Sequence, residues 1–496
     1  MNELPRADAE PQWFLARRLF LGGVALTYAI AFGSLGVQVR GLFGERGIAP
    51  LSETMDRLGG VLHGWQRLQV PTLLWFGAGD GVLVAICIGG IALVPLALLG
   101  FAPRLVFALL WLGYLSLVAP GHPFLSFQWD ALLLECGLLA VAFAPPGLRP
   151  YGSAERPPAA VARWLVYSLL ARLMFLSGWT KLASGDPSWR DGTALDFHFW
   201  TQPLPHRLSH YAHWTPEWAH QLAVAAMFAA ELVAPLLLLI PVGRRRARLV
   251  VATSTVGLMI AIAATGNYGF FNFLTAVLCI PLLDDRTWRA ILRVPERVRT
   301  GAPSAPRWRR WATGVFATLT VTLTAERTLA GLGWSGRLPW PVPELAELAA
   351  PLSSFNAYGL FRVMTRERYE LLVEGSDDGE EWKAYAFRYK PGDPERAPVF
   401  AGLHMPRLDW QAWFVPLDPR RASWVSELQR RLLEGSQPVL ALLAGDPFDG
   451  KPPRRVRVRA VPYEFSTPEE RARGLWWRCG EPVPFFPERV REEDGR

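Results

Sequence analysis

Residues 81–100 read GVLVAICIGGIALVPLALLG, 20 in succession without a charged or amide side chain. At about 1.5 Å per residue, a helix of that length spans about 30 Å, the hydrocarbon thickness of a bilayer. The chain repeats the pattern. Apolar runs occupy 14–37, 73–100, 105–118, 127–143, 164–182, 222–240, 249–264, 270–283 and 311–329 of its 496 residues. Three of them (105–118, 249–264 and 270–283) are short enough to be re-entrant. The first is too long for a cleavable signal peptide. Composition agrees: 51% of residues are apolar and 19% charged, against about 25% charged in an average globular domain. With 22 Trp, 27 Phe and 4 Cys, the chain is neither disordered nor a disulfide-stapled module. These features specify a polytopic α-helical membrane protein.

Basic residues flanking the runs set an orientation, because cytoplasmic connectors carry the Lys/Arg excess. Arg6, Arg17 and Arg18 precede or open the first run, and Arg149, Arg156 and Arg163 fall in the connector 145–163. Arg244, Arg245, Arg246 and Arg248 follow the sixth run, and connector 286–310 holds eight Arg and one Glu. Segment 184–219 is the opposite: two Arg against Asp186, Asp191, Asp196 and Glu217. Nine crossings reconcile these signs, with the N-terminus inside, the acidic loop outside and everything after 329 outside. The net charge of +8 is therefore topogenic, which leaves the bilayer as a partner and excludes nucleic acid.

The boundary falls near 340. Residues 1–340 form the multi-pass region, and 341–496 a soluble, β-rich, sandwich-like α+β domain. In the latter, 370–374 is a strand, Asp377-Asp378-Gly379 a turn, and 382–389 places Tyr385, Phe387 and Tyr389 at alternate positions. Residues 455–461 alternate Arg with Val or Ala, the pattern of a half-buried strand. A helix over 423–433 aligns Trp424, Leu428 and Leu432, and Gly435 stops it. The lone cysteine of this part, Cys479, permits no internal disulfide, while Cys87, Cys136 and Cys279 fall inside apolar runs as small packing residues.

Four polar-aromatic clusters, 41–50, 121–135, 181–218 and 265–272, all fall at run ends assigned to the outer side. They predict one shared outer cavity roofed by the C-terminal domain. Its candidate residues are Gln128, Trp129, Asp130, Glu135, Arg172, Lys181, Trp189, Arg190, Asp191, His198, Gln202, Glu231, Asn267, Tyr268 and Asn272. Lys181 stands out. The chain has four Lys and 48 Arg, and Lys181 is the only Lys before Lys383. Arg snorkels equally well, so a mere anchor at the membrane surface need not have been Lys. An unpaired Lys at mid-bilayer costs about 2.5–3.5 kcal/mol on insertion scales, so Lys181 is expected to face a cavity with a carboxylate partner. Asp186 and Asp191 are nearest in sequence; Asp130, Glu135 and Glu231 are the other candidates.

Other constellations are weaker. His206, His210 and His213 follow helical i, i+4, i+7 spacing, yet Pro203, Pro205 and Pro216 shorten any helix there and no Cys or HExxH pattern supports a metal. Trp189, Trp200, Trp214 and Trp218 fit an interfacial aromatic belt. The chain has no GxGxxG, GxxxxGK[ST] or GxSxG motif, and no cofactor is expected. No internal repeat points to a transporter.

Several multi-residue motifs resemble the lipase maturation factor family. They begin with Phe124-Leu-Ser-Phe-Gln-Trp-Asp130 and Leu132-Leu-Leu-Glu135, then Arg172-Leu-Met-Phe175 with Lys181, and Trp189-Arg-Asp191 with Thr193 and His198. Thr201-Gln-Pro-Leu-Pro205, Pro216-Glu-Trp218, Gly266-Asn-Tyr268, Phe271-Asn272 and Asp284-Asp285 continue the series. Asn356-Ala-Tyr-Gly-Leu-Phe361, Met364-Thr365, Glu374-Gly-Ser376, Asp378-Gly379, Trp382, Tyr389-Lys-Pro-Gly392, Pro406-Arg-Leu-Asp-Trp410 and Trp413-Phe414 complete it. The resemblance spans roughly 14–420 and departs from the animal pattern at His206, where Asn is expected.

The resemblance implies a non-enzymatic membrane chaperone of dimeric lipases, in the endoplasmic reticulum membrane for eukaryotic members. For this Arg-rich chain the equivalent place is a bacterial inner membrane with the C-terminal domain in the periplasm. It also implies an exported, lipase-like client, for which Tyr358, Phe361, Trp382, Arg407, Asp409, Trp410 and Trp413 are candidate contacts. A shorter likeness, Gly178-Trp-Thr-Lys181 with Trp189 and Gly192, is similar to the lysine-bearing region of vitamin K-dependent carboxylases. It implies the alternative, a membrane enzyme acting on a lipid or a membrane-delivered small molecule with Lys181 as base.

Overall fold

The computed structural model describes residues 12–151, 155–239, 243–295, 306–334 and 336–491. Arg6 lies outside them, as does part of the basic connector 286–310. Each apolar run of the sequence contains a helix: α1 Phe14–Gly36, α2 Asp80–Leu99, α3 Pro103–Val118, α4 Gln128–Phe143, α5 Ala160–Ala183, α6 Glu217–Leu239, α7 Arg244–Thr265, α8 Phe270–Leu282 and α9 Arg307–Gly331. Five of these (α1, α2, α5, α6 and α7) are long and apolar enough to cross a bilayer.

Two boundaries differ from the sequence reading. The run 249–264 is not short: α7 has 22 residues because Arg244–Arg248 extend the helix at its N-terminal end. The run 73–100 is not one helix, since Leu73–Phe76 forms a separate tight turn and Gly77, at φ 150°, breaks the chain before Asp80. α4 survives as a helix with Asp130 and Glu135 fully buried, which requires internal partners for both.

The two ends of the bundle differ in chemistry. At one end Arg17 and Arg18 share Glu155 at 2.5 and 2.8 Å, and the Arg163 guanidinium stacks 3.4 Å from the centre of the Trp13 ring. There Asp285 accepts hydrogen bonds from the backbone N–H groups of Phe14, Leu15 and Ala16 at 2.9–3.0 Å. That carboxylate satisfies the first orphan donors of α1 and opposes the positive end of its dipole. At the other end the C-terminal region packs over all four polar-aromatic clusters.

That region holds a five-stranded antiparallel sheet: β1 Tyr369–Ser376, β2 Lys383–Ala384, β3 Arg455–Phe465, β4 Trp477–Cys479 and β5 Val483–Val490. β1 lies between β2 and β3, and β4 and β5 both pair with β3. Along β3, Val456, Val458 and Ala460 are buried, while Arg457 and Arg459 each reach Glu374 at 2.8 Å. The second layer of the domain is helical. Ser423–Leu433 packs on β3 and β5 through buried Trp424, Leu428 and Leu432. Gly435, at φ 62°, ends it as expected, and Ser436 N–H reaches back to the Arg431 carbonyl at 2.9 Å. The 382–389 strand is shorter than expected: Lys383–Ala384 pairs with β1, and Tyr385 N–H adds a bond to the Val373 carbonyl at 2.8 Å. Tyr385 and Phe387 are still buried alternately.

Candidate functional site

Lys181 lies in the last turn of α5 and is 4% exposed. Its Nζ donates to both oxygens of Glu231, at 2.8 and 2.7 Å. The counter-ion is therefore neither Asp186 nor Asp191. Asp186 caps Ser188 N–H at 2.9 Å and accepts from Met364 N–H at 2.6 Å; Asp191 and Arg190 are exposed, away from the cavity. Local backbone explains the pairing. Pro235 has no N–H to give the Glu231 carbonyl, and Ala229–Val233 widens into a π turn that swings Glu231 inward. Gly178 faces that turn. A Cβ there would lie 2.7 Å from Leu232 Cγ and 3.0 Å from Glu231 Cβ, so only glycine lets α5 and α6 approach this closely.

The pair borders a cavity of about 210 Å³ between α5, α6, α7 and α8, lined also by Trp189, His198, Tyr268 and Phe361. The expected polar cavity is thus largely apolar, with one ion pair set in its wall. His198 is pushed down to about 4, chiefly by burial and further by Lys181, and is neutral. The Lys181 Nζ is held by both oxygens of a carboxylate, whereas a base would need that amine free.

The remaining expected residues join the membrane helices to the C-terminal region instead of lining one cavity. Arg407, 1% exposed, binds Asp130 through both Nη atoms at 2.9 and 2.7 Å, and Tyr114 Oη donates to the same carboxylate at 2.5 Å. Glu135 takes Arg172 on one oxygen; its other accepts Tyr358 Oη at 2.7 Å and Asn356 N–H at 3.2 Å. Gln128 exchanges two hydrogen bonds with the Gly359 backbone, at 3.2 and 3.1 Å. Trp129 stacks on Phe127 and meets Trp410 edge-on at 4.7 Å. Asn267 brackets the chain at Val399 and Ala401, both at 2.8 Å. Asn272 is buried, and its Oδ1 has no hydrogen-bond partner among the described residues.

The candidate client contacts need correcting on the same ground. Tyr358, Arg407, Asp409 and Trp410 are buried, so they face the protein's own helices or loops. Asp409 accepts the Tyr389 and Lys390 N–H groups at 2.8 and 2.9 Å, and Trp413 Nε1 donates to the Thr201 carbonyl at 2.8 Å. Phe361 lies edge-on to His198 at 4.9 Å. Trp382 is half-buried beneath the Arg457 guanidinium, 3.9 Å from its ring centre. The spaced histidines do not converge either: His206 meets Phe400 edge-on, while His210 meets the Ser466 carbonyl at 3.0 Å.

Sequence reasoning missed three anchors. Ser34 and Gln38, one turn apart at the end of α1, bond the 404–407 strap: Met405 N–H reaches Ser34 Oγ and Arg407 N–H reaches Gln38 Oε1, both at 2.9 Å. Arg368 spans the carbonyls of Trp200 and Pro203 at 3.0 and 2.9 Å. Lys390 pairs with buried Glu370 at 2.7 Å. The rarity of Lys points equally to Lys383, Lys390 and Lys451, of which Lys390 is buried and the other two are exposed.

Two sequence models cover this architecture. Residues 15–290 match the lipase maturation factor transmembrane domain, and residues 354–487 the lipase maturation factor C-terminal domain. The chain belongs to the lipase maturation factor family. Similar relatives include lipase maturation factor 2 of Homo sapiens, 35% identical over 95% of this chain and 82% of the relative. Lipase maturation factor 1 of Bos taurus is 32% identical, over 97% and 90%, and lipase maturation factor 1 of Homo sapiens 29%, over 97% and 89%. No solved structure matches. The Asp130–Arg407 and Glu135–Tyr358 bonds each join the segment of one lipase maturation factor model to that of the other.

Proposed function

We propose that this protein is a non-enzymatic chaperone that brings an exported, lipase-like client to its active fold. It does so from a bacterial inner membrane, crossing nine times, with residues after about 340 in the periplasm. The family supports the client class. The Arg-rich end of the bundle, opposite the C-terminal domain, supports the orientation.

The observation that carries the mechanism is the rigid joint. Buried bonds at Asp130, Glu135 and Asn267 make the outer ends of the helices and the C-terminal domain one platform. The buried aromatic residues serve that joint, so client contact falls to what is left outside. A groove of about 240 Å³ between the 122–127 loop and 411–424 carries Phe127 and Trp424 in its wall, with Phe414 and Leu417 exposed at its rim. Apolar rim residues on a fixed platform suit transient contact with an unfinished fold.

Comparison of the exported proteome with and without the protein tests the reading. Loss of one folded, active lipase-like protein, reproduced by Phe414→Ser with Leu417→Ser, is the expected result. An unchanged exported proteome with altered membrane lipids would overturn it. A fluorescent reporter that folds only in the cytoplasm, fused after Arg496, should be dark; a bright fusion would overturn the nine-crossing orientation.

A further inference from the structure

The cavity beside Lys181 is not used by the platform, and its hydrogen-bonding inventory is incomplete in a specific way. Gln202 Nε2 donates to the Phe199 and Thr265 carbonyls at 3.1 and 2.7 Å, which turns its Oε1 toward Tyr268. Tyr268 Oη donates to that oxygen at 3.0 Å. Having spent its proton, the Tyr268 oxygen accepts from His198 Nε2 at 3.3 Å. His198, neutral, then keeps a bare lone pair on Nδ1, for which the described residues supply no donor. Across the same cavity the Lys181 ammonium has three N–H groups, and Glu231 takes two. The cavity thus offers an unused donor and an unused acceptor within an otherwise apolar lining.

The entrance faces hydrocarbon. Ala223 of α6 and Ala261 of α7 line the cavity and are also exposed on the outside of the bundle. Their neighbours on those helices, Leu222 and Ile260, are 62% and 64% exposed, as lipid-facing residues of two crossing helices are. Apolar cavities of about 150 Å³ already stay dry and take up apolar molecules, and this one is larger. Lys181 and Glu231 are the only charged residues in the lining and cancel each other. A phosphate head would enter without a counter-charge, at a prohibitive desolvation cost.

We propose that this cavity binds one acyl chain drawn from the bilayer between α6 and α7, carried by a lipid with a small uncharged head that presents a carbonyl and a hydroxyl. The carbonyl accepts from Lys181 Nζ, and the hydroxyl donates to His198 Nδ1. A protonated long-chain fatty acid and a monoacylglycerol share this chemistry. Binding needs no client, so it stands or falls separately from the chaperone reading.

The test uses the full-length protein in phosphatidylcholine nanodiscs with two photoreactive, clickable probes, a fatty acid and the matching monoacylglycerol, each with a diazirine in its chain. Saturable labelling is expected at Leu173, Met227 and Met259, competed by the unlabelled lipid; which probe labels identifies the source. Ala261→Phe and, independently, Ala223→Phe plug the two lips of the entrance and should each cut saturable labelling at least about tenfold, with the gel-filtration profile unchanged. His198→Phe keeps an aromatic ring but removes the Nδ1 acceptor, together with the Nε2 contact to Tyr268, and should weaken binding about tenfold. Non-saturable labelling spread over Leu222, Ile260 and other outward residues, indifferent to both plugs, would overturn the proposal.

Discussion

The Asp130–Arg407 pair offers a sharp test of the rigid joint. The two side chains are 0% and 1% exposed, and the guanidinium also holds the Phe124 carbonyl at 2.8 Å. Arg407→Met leaves a buried carboxylate with only Tyr114 Oη beside it. Asp130→Asn leaves a buried guanidinium facing an amide. Each single change strands a charge and should cost about 3–5 kcal/mol, whereas removing both strands nothing and is often close to neutral. The double variant should therefore cost far less than the roughly 6–10 kcal/mol sum, because the partners act as one unit. Trp129 and Trp410 meet edge-on beside the pair, so Trp emission during a dodecyl sulfate titration in mixed micelles follows the joint. Trypsin sensitivity of the 331–352 connector reports undocking directly. If the double variant is as unstable as the sum of the singles, the pair is not coupled and the joint rests on packing alone.

Other changes follow from the same geometry. Gly178→Ala drives a methyl group into Leu232 and Glu231 and should destabilise by about 1–3 kcal/mol, read by thermal unfolding. Gly314→Ala, where a Cβ meets nothing within 4 Å, should stabilise α9 by about 0.5–1 kcal/mol. Pro235→Ala restores the N–H that the Glu231 carbonyl lacks. The π turn should close into regular helix and part Glu231 from Lys181, seen as loss of the Lys181–Glu231 coupling in a double-mutant cycle; coupling that persists would refute the account of the turn. Lys181→Arg should also fail to support client maturation, since a planar guanidinium does not fit the wall that an ammonium occupies. Finally, His404 is pushed down from 6.5 to about 4, first by burial and then by Arg407 and Arg388. Between those values the unfolded chain binds the extra proton, so stability is full above about pH 6.5 and falls as pH drops toward 4. His404→Asn should flatten that slope, which is on the order of 2 kcal/mol after allowance for partial exposure.

The sequence alone determined the helices, the end of the bundle that is basic and the alternation along β3, because each depends on the period or sign of neighbouring residues. Phe14–Gly36 and Asp80–Leu99 are legible from hydropathy, and the Ser423–Leu433 helix from its i, i+4 apolar spacing and the glycine behind it. Lys181 could also be singled out, as a cation costly in hydrocarbon and rare in this chain. Its partner could not. Glu231 is 50 residues away and reaches Lys181 only because a missing N–H at Pro235 widens one turn and Gly178 lets two helices touch. Nor could sequence separate Trp410 and Arg407 from a client-facing surface: aromatic and arginine residues look the same whether they await a partner or already hold one. Only the tertiary structure decides that Arg407 is spent on Asp130, 277 residues earlier. Local pattern records what a residue must avoid, and three-dimensional packing alone determines what it meets.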